Sequence, residues 1–243
     1  MKREAAMSCE HRAAQAEFDR FAADYRELHA RNIALSGEAP EYFAAYKMRD
    51  FAAELDALGA PADGTYLDFG SGVGASVRPF LELRPRARLL CADVSAASLA
   101  ASWREHGPRA RYLMIRDGRL PLRDASVDGA FACCVFHHIP PAQHPAALRE
   151  LRRVLKPGAP LMIYEHNPLN PLTVRAVRNC PLDENAVLVG AATMRRRCAA
   201  AGLRALRVDY RVFFPAALRG LRALEQGLRW LPLGAQYALH ARA

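Results

Sequence analysis

The stretch Thr65-Tyr-Leu-Asp68-Phe69-Gly70-Ser71-Gly72-Val73-Gly74 decides the fold. Thr65–Phe69 has the character of a short buried strand and runs straight into three glycines set two apart. The apolar pattern then resumes at helical period over residues 75–83. A strand that turns at once into a helix needs glycine where the backbone takes positive φ or must approach a ligand closely. Open α/β sheets bind nucleotides at the carboxyl ends of their parallel strands, where such a turn lies. Two other readings stay open at this point. Gly70-x-Gly72-x-x-Ala75 also satisfies the dinucleotide pattern with alanine in third place, and glycines occur in tight turns of every kind.

Outward from this turn, strands and helices alternate. Residues 89–92, 111–115, 127–135 and 161–164 read as strands two to five. Residues 96–105 and 142–155 read as helices, the latter stopped by Lys156-Pro157-Gly158. Beyond them come a helix over 194–201, a strand over 205–212, an amphipathic segment over 216–230 and a last strand over 236–241. Alternation of this kind predicts an α/β, three-layer Rossmann-like fold, with about seven mostly parallel strands and helices on both faces. Upstream, residues 10–36 (Phe18, Phe21, Tyr25, Leu28) and 41–58 (Phe43, Phe51, Leu55, Leu58) carry apolar residues at helical spacing. Residues 61–243 are read as one domain preceded by a helical segment over 1–60.

Composition narrows the class. The chain has 243 residues, 51% of them hydrophobic and 24% charged, which is globular and not disordered. The formal charge is +9, and all but Lys2, Lys47 and Lys156 of its 34 basic residues are arginine, spread over the whole chain. A nucleic-acid footprint requires cations grouped on one face, which composition does not show. Cys9, Cys91, Cys133, Cys134, Cys180 and Cys198 form no CxxC pair and no disulfide framework. With no apolar leader after Met1-Lys2-Arg3 and no run of about 18 apolar residues, a cytoplasmic chain with free thiols is expected.

Two more carboxylates follow the pattern of the first. Asp93 ends the second strand, where it would accept ribose hydroxyls or cap the next helix, a task also open to Ser95. Asp117-Gly118 follows the third strand, where an acceptor suits the amino group of adenine. Taken together, Asp68-x-Gly-x-Gly-x-Gly, Asp93 and Asp117, with Leu120-Pro-Leu122 and Val127-Asp128 downstream, resemble the class I S-adenosylmethionine-dependent methyltransferases over roughly residues 41–165. The resemblance implies S-adenosylmethionine as cofactor. It sets Asp68, Gly70, Ser71, Gly72 and Gly74 around the methionine part, Asp93 on the ribose, Val94 on the adenine face, and Asp117 and Gly118 at the adenine edge. Phe131-Ala-Cys-Cys134-Val-Phe136-His137-His138-Ile139 resembles the family's fourth motif, whose end lies beside the sulfonium, so Cys134 joins the cofactor set. Phe69 stands where the family often has a smaller aliphatic residue.

A methyltransferase needs a base only when the acceptor is a hydroxyl. His138, Glu165 and His166 are the candidates, with His137 beside them, because both pairs follow strands that end at the cleft. His138 also reads as a packing or cofactor-lining residue. Neither pair has a third ligand at a recognisable spacing, so no metal site is expected. Glu165-His-Asn-Pro-Leu-Asn-Pro-Leu-Thr173 and the segments 179–188, 213–215 and 231–237 resemble a bacterial subgroup that modifies small molecules, glycan precursors or lipid precursors. That subgroup implies a small-molecule acceptor, methylated on a hydroxyl or carboxyl, and no nucleic-acid partner. A catalytically silent homologue, an RNA methyltransferase and an NAD-dependent oxidoreductase are the alternatives. Pro168 and Pro171 predict that residues 167–190 form an irregular loop over the acceptor pocket. Residues 213–231, with Leu218, Leu221, Leu224 and Trp230 among arginines, read as a helix packed on the sheet or as a peripheral contact with lipid. The segment 1–60 resembles the family's lid, with Tyr25 facing the sulfonium or the acceptor, or else serving as a core aromatic.

Overall fold

The computed structural model describes Asp19 and residues 37–243. The first predicted helix, with Tyr25, lies outside the described residues. Seven strands, β1 (Thr65–Phe69), β2 (Arg88–Asp93), β3 (Arg111–Met114), β4 (Gly129–Cys133), β5 (Pro160–His166), β6 (Arg204–Arg211) and β7 (Gln236–Arg242), form one sheet in the order β3-β2-β1-β4-β5-β7-β6. The first five are mutually parallel, and β7 runs antiparallel to both β5 and β6. Among the described residues six α-helices accompany them: α1 (Pro40–Ala57), α2 (Val77–Leu83), α3 (Ala96–His106), α4 (His144–Val154), α5 (Pro171–Arg178) and α6 (Ala191–Ala200).

Alternation along the strands divides the core into two layers, because successive side chains point to opposite faces. Tyr66, Leu89, Phe131, Met162 and Tyr164 face α1 and α2, meeting Met48, Phe51, Leu55 and Phe80. Leu67, Leu90, Ala132, Ile163 and Leu239 face α4 and α6, meeting Leu148, Leu151, Met194 and Cys198. The three-layer expectation holds. Ser95 caps α3 through an Oγ that accepts Ser98 N at 3.0 Å, and that Oγ donates to Asp19 Oδ1 at 2.6 Å. Capping α3 is therefore the task of Ser95, which leaves Asp93 to other partners. No helix of the described residues is long and apolar enough to cross a membrane.

Three elements around the cleft depart in their bounds from the sequence reading. β4 is shorter than residues 127–135: Val127 makes only an isolated bridge to Leu155, and Cys134 leaves the strand with φ +58°. β5 is longer and runs through Glu165 and His166, which pair with Tyr237 and Gln236. The first helix after the glycine turn begins at Val77, not at residue 75.

Within 167–190 the prolines do not forbid helix: Pro171 begins α5. Proline at the first helical position has no N–H to waste, and Asn170 caps the helix by accepting Thr173 N at 3.0 Å. Ala216–Leu228 is a kinked run of 3₁₀ turns with no buried residue, not a helix packed on the sheet. The segment bends back on itself, since Phe213 N and Phe214 N both donate to Glu225 Oε1.

Candidate active site

A cleft of about 770 Å³ opens at the carboxyl ends of the parallel strands. It lies where strand order reverses between β1 and β4, the switch point at which such sheets bind ligands. Asp68, Gly70, Ser71, Gly72, Asp93, Val94, Asp117, Gly118, Cys134, His138 and His166 all line it. Two of the residues singled out from sequence do not: Gly74 and Glu165.

The glycine turn is tied to β2. Gly70 N and Ser71 N donate to Ala92 O at 2.8 and 3.1 Å, and Gly72 N donates to Asp93 Oδ2 at 2.8 Å. The other oxygen of Asp93 accepts Ser95 N at 2.8 Å. Asp93 thus clamps the turn to the start of α3. Burial raises the pKa of Asp93, against these donors, which lower it.

Gly70 has φ +73°, and a Cβ there would stand 2.5 Å from a methyl of Val135. Gly72, at φ +51°, lines the cleft, and a Cβ there would meet no protein atom within 4 Å. Gly74 serves packing instead. A Cβ at Gly74 would run into Ser102 Oγ on α3, so the third glycine allows close approach of the turn to that helix. Asp117 and Gly118 both take positive φ in a turn closed by the bridge between Arg116 and Arg119. An open cradle of this kind, with three carboxylates around it, fits an adenosine-bearing cofactor whose methionine part carries both charges.

Three lining residues were not found from sequence. Lys47 of α1 is buried, with Nζ 3.4 Å from Cys134 Sγ and 5.8 Å from the centroid of the Tyr164 ring. Its position in the series Phe43, Lys47, Phe51, Leu55 is the signal that was available: a lysine on the apolar stripe of a helix, in a chain with only three lysines. Gln236, at the start of β7, accepts a hydrogen bond from Tyr46 Oη. Asp183 is the third. Asp68 lines the same cleft as Lys47. It accepts a hydrogen bond from Ser76 Oγ, and burial pushes its carboxyl up to about 7.

At the ends of β4 and β5 four ionisable residues converge. Glu165 is fully buried, and both of its oxygens have partners. Its Oε1 accepts Val135 N at 3.0 Å and Phe136 N at 2.7 Å, and its Oε2 lies 2.6 Å from His137 Nδ1. On the far side of the same ring, Nε2 is 3.4 Å from Asp183 Oδ1, which is itself 3.5 Å from His138 Nε2. Burial would raise Glu165 and Asp183, but His137 overrides it and holds both carboxyls below their usual range. Burial would lower His137, but Glu165 and Asp183 override that and keep the ring protonated. Burial, reinforced by the His137 charge, pushes His138 down to about 3 and His166 down to about 4. Two neutral imidazoles therefore face the cleft beside one imidazolium.

The Glu165-to-Thr173 segment fastens this end of the cleft. Asn167 Nδ2 donates to Pro232 O and Gly234 O at 3.1 and 2.8 Å, Asn170 Nδ2 to Leu233 O at 2.7 Å, and Thr173 Oγ1 to Ala235 O at 3.0 Å. The two asparagines and the threonine latch the chain after β5 onto the turn that feeds β7. The Pro-Asn-Pro pattern is thereby accounted for by structure.

Residues 67–163 match the family described as Methyltransferase domain. The ubiquinone/menaquinone biosynthesis C-methyltransferase of Hahella chejuensis is 27% identical over 129 residues, 50% of this chain and 51% of that protein. The tRNA N(3)-cytidine methyltransferase of Danio rerio is 28% identical over 144 residues, 56% of this chain and 41% of that protein. The matched part thus spans about half, or less, of these relatives' own length. Among solved structures, a SAM-dependent methyltransferase from Aquifex aeolicus superposes with a TM-score of 0.60 at 19% identity, covering 84% of this chain and 94% of that one. Residues 67–163 match the model of a methyltransferase domain, the chain shares the seven-stranded fold of solved S-adenosylmethionine-dependent methyltransferases, and S-adenosylmethionine is the cofactor that this likeness implies.

Proposed function

We propose that the protein transfers a methyl group from S-adenosylmethionine to an oxygen, hydroxyl or carboxyl, of a small-molecule acceptor. When bound, the cofactor supplies an electrophilic methyl group on a sulfonium with a good leaving group already built in. Asp68, Lys47 and the turn Gly70–Gly72 would hold its methionine part, Asp93 its ribose, and Val94 with Asp117 and Gly118 its adenine. What the protein must add is position and exclusion of water.

The single observation that carries the reading is the histidine end of the cleft. His138 and His166 are neutral rings able to accept a hydrogen bond from an acceptor hydroxyl. A carboxylate acceptor would need no base at all. The segment 167–190 brings Cys180, Leu182 and Asp183 to the same end, so it would contact the acceptor despite containing α5. Of the lid expected over residues 1–60, Pro40–Ala57 form instead a helix packed in the core. The bacterial small-molecule, glycan and lipid-precursor subgroup and a cytoplasmic location belong to the same proposal. The five described cysteines, all free, agree with the last of these.

The test is release of S-adenosylhomocysteine on incubation with S-adenosylmethionine and pooled phenols, sugars, organic acids and lipid-linked intermediates, with a tRNA pool as a separate arm. Turnover in a small-molecule pool supports the reading. Turnover on tRNA alone, or tighter calorimetric binding of NAD than of S-adenosylhomocysteine, overturns it.

A further inference from the structure

The sequence offers His137 and His138 no third ligand, but the fold supplies one. One ring nitrogen from each histidine and one carboxylate oxygen of Asp183 lie within 4.8 Å of one another. The two distances from Asp183 Oδ1, 3.4 Å to His137 Nε2 and 3.5 Å to His138 Nε2, are long for N–H···O bonds, which end near about 3.2 Å. They suit a shared ion: two ligands at about 2.0–2.1 Å from a tetrahedral Zn²⁺ stand roughly 3.4 Å apart.

The surroundings match as well. Histidines that bind metal usually give their other ring nitrogen to a carboxylate, which fixes the ring. Glu165 does this for His137 Nδ1 at 2.6 Å, and is itself held by two backbone N–H groups. The Asp183 segment is braced too, by Asp183 N to Cys180 O at 3.0 Å and Val187 N to His137 O at 2.8 Å. His137, His138 and Asp183 all line the cleft, so a position on the ion would be open to a ligand there.

We propose that His137 Nε2, His138 Nε2 and the Asp183 carboxylate bind one divalent transition ion of the Zn²⁺ class, with an open position toward the acceptor. An ion taken up at His137 Nε2 would release to solvent any proton held there, and carboxylates on both sides of that ring, Glu165 and Asp183, would face its charge. The ion's role rests on the methyltransferase reading: an acceptor oxygen bound to it gives up its proton more readily.

The experiment uses the full chain after treatment with a chelator. Co²⁺ is added and its visible d–d spectrum followed, then Zn²⁺ is titrated by calorimetry, and S-adenosylhomocysteine binding is measured on the same sample. The expected result is about one ion per chain with a four- or five-coordinate Co²⁺ spectrum. His138→Ala and Asp183→Asn should each weaken binding by at least about tenfold, and Glu165→Gln by about 10–100-fold. No Co²⁺ spectrum in the wild-type chain overturns the proposal, as does unchanged affinity in His138→Ala and Asp183→Asn. Because the wild-type titration is decisive, a variant that fails to fold does not rescue the idea. Lost ion binding with S-adenosylhomocysteine binding intact sinks the ion alone; loss of S-adenosylhomocysteine binding sinks the reading beneath it.

Discussion

Removing the Glu165 carboxyl tests whether it is an anchor. In Glu165→Ala two buried N–H groups, of Val135 and Phe136, lose their acceptor, at about 1–3 kcal/mol each. His137 loses the carboxylate 2.6 Å from its Nδ1, and breaking a buried pair by deleting one partner typically costs about 3–5 kcal/mol in all. These effects overlap, so about 3–5 kcal/mol is the expectation for the whole change. In a chain of this size each kcal/mol moves the melting temperature by about 2–4 °C, which predicts a fall of about 10 °C. Glu165→Gln keeps an oxygen for the two N–H groups but turns a donor toward His137 Nδ1. That ring must then become neutral and accept, at a smaller cost of about 1–2 kcal/mol. The assay is thermal unfolding by circular dichroism at neutral pH in a chelating buffer, so that only the protein's own groups are compared. An alanine variant that melts within about 3 °C of the wild type would refute the anchor, and loss of methyl transfer at unchanged stability would return Glu165 to the role of base.

Three further outcomes are expected. Gly72→Ala pays only for positive φ, about 1–2 kcal/mol, whereas Gly74→Ala adds an overlap with Ser102 and should melt distinctly lower; equal melting temperatures would contradict the packing role given to Gly74. Asp93→Ala leaves Gly72 N and Ser95 N without their acceptor, and should weaken S-adenosylhomocysteine binding by about 1–3 kcal/mol in calorimetry; unchanged affinity would place the ribose elsewhere. The Asp68 pKa is raised in the folded state to about 7, so the folded chain binds the extra proton. Its contribution is therefore fully present below about pH 4 and is lost as pH rises through about 7. His138 and His166, lowered on folding, act in the opposite sense over part of that window, so the quantity to measure is the stability of wild type minus Asp68→Asn. A difference that does not fall between pH 4 and 7 would refute the burial of an uncharged Asp68.

The cofactor half of the site was legible for a local reason. Asp68, Gly70, Gly72 and Asp93 sit at the carboxyl ends of strands, and a parallel sheet gathers those ends on one edge whatever its side chains are. The histidine end was legible only in part. His138 and His166 were found because they too lie at strand ends, but the closed surroundings of Glu165 were not foreseen. An ionisable residue at a strand end looks like chemistry until the backbone donors of the neighbouring chain are seen to use up its oxygens. The prolines of 167–190 misled in the same way, since Pro171 begins a helix as readily as it ends one.

The alternation of strands and helices, the layering and the glycine turn were therefore written in local periodicity, because backbone geometry and connectivity leave few ways to fold alternating strands and helices. Only the packed structure decided that Lys47 from α1, Gln236 from β7 and Asp183 from the segment after α5 meet in one cleft. Those contacts join elements far apart in the chain, and their distances depend on how each helix and loop seats on the sheet, which no short-range pattern of residues encodes.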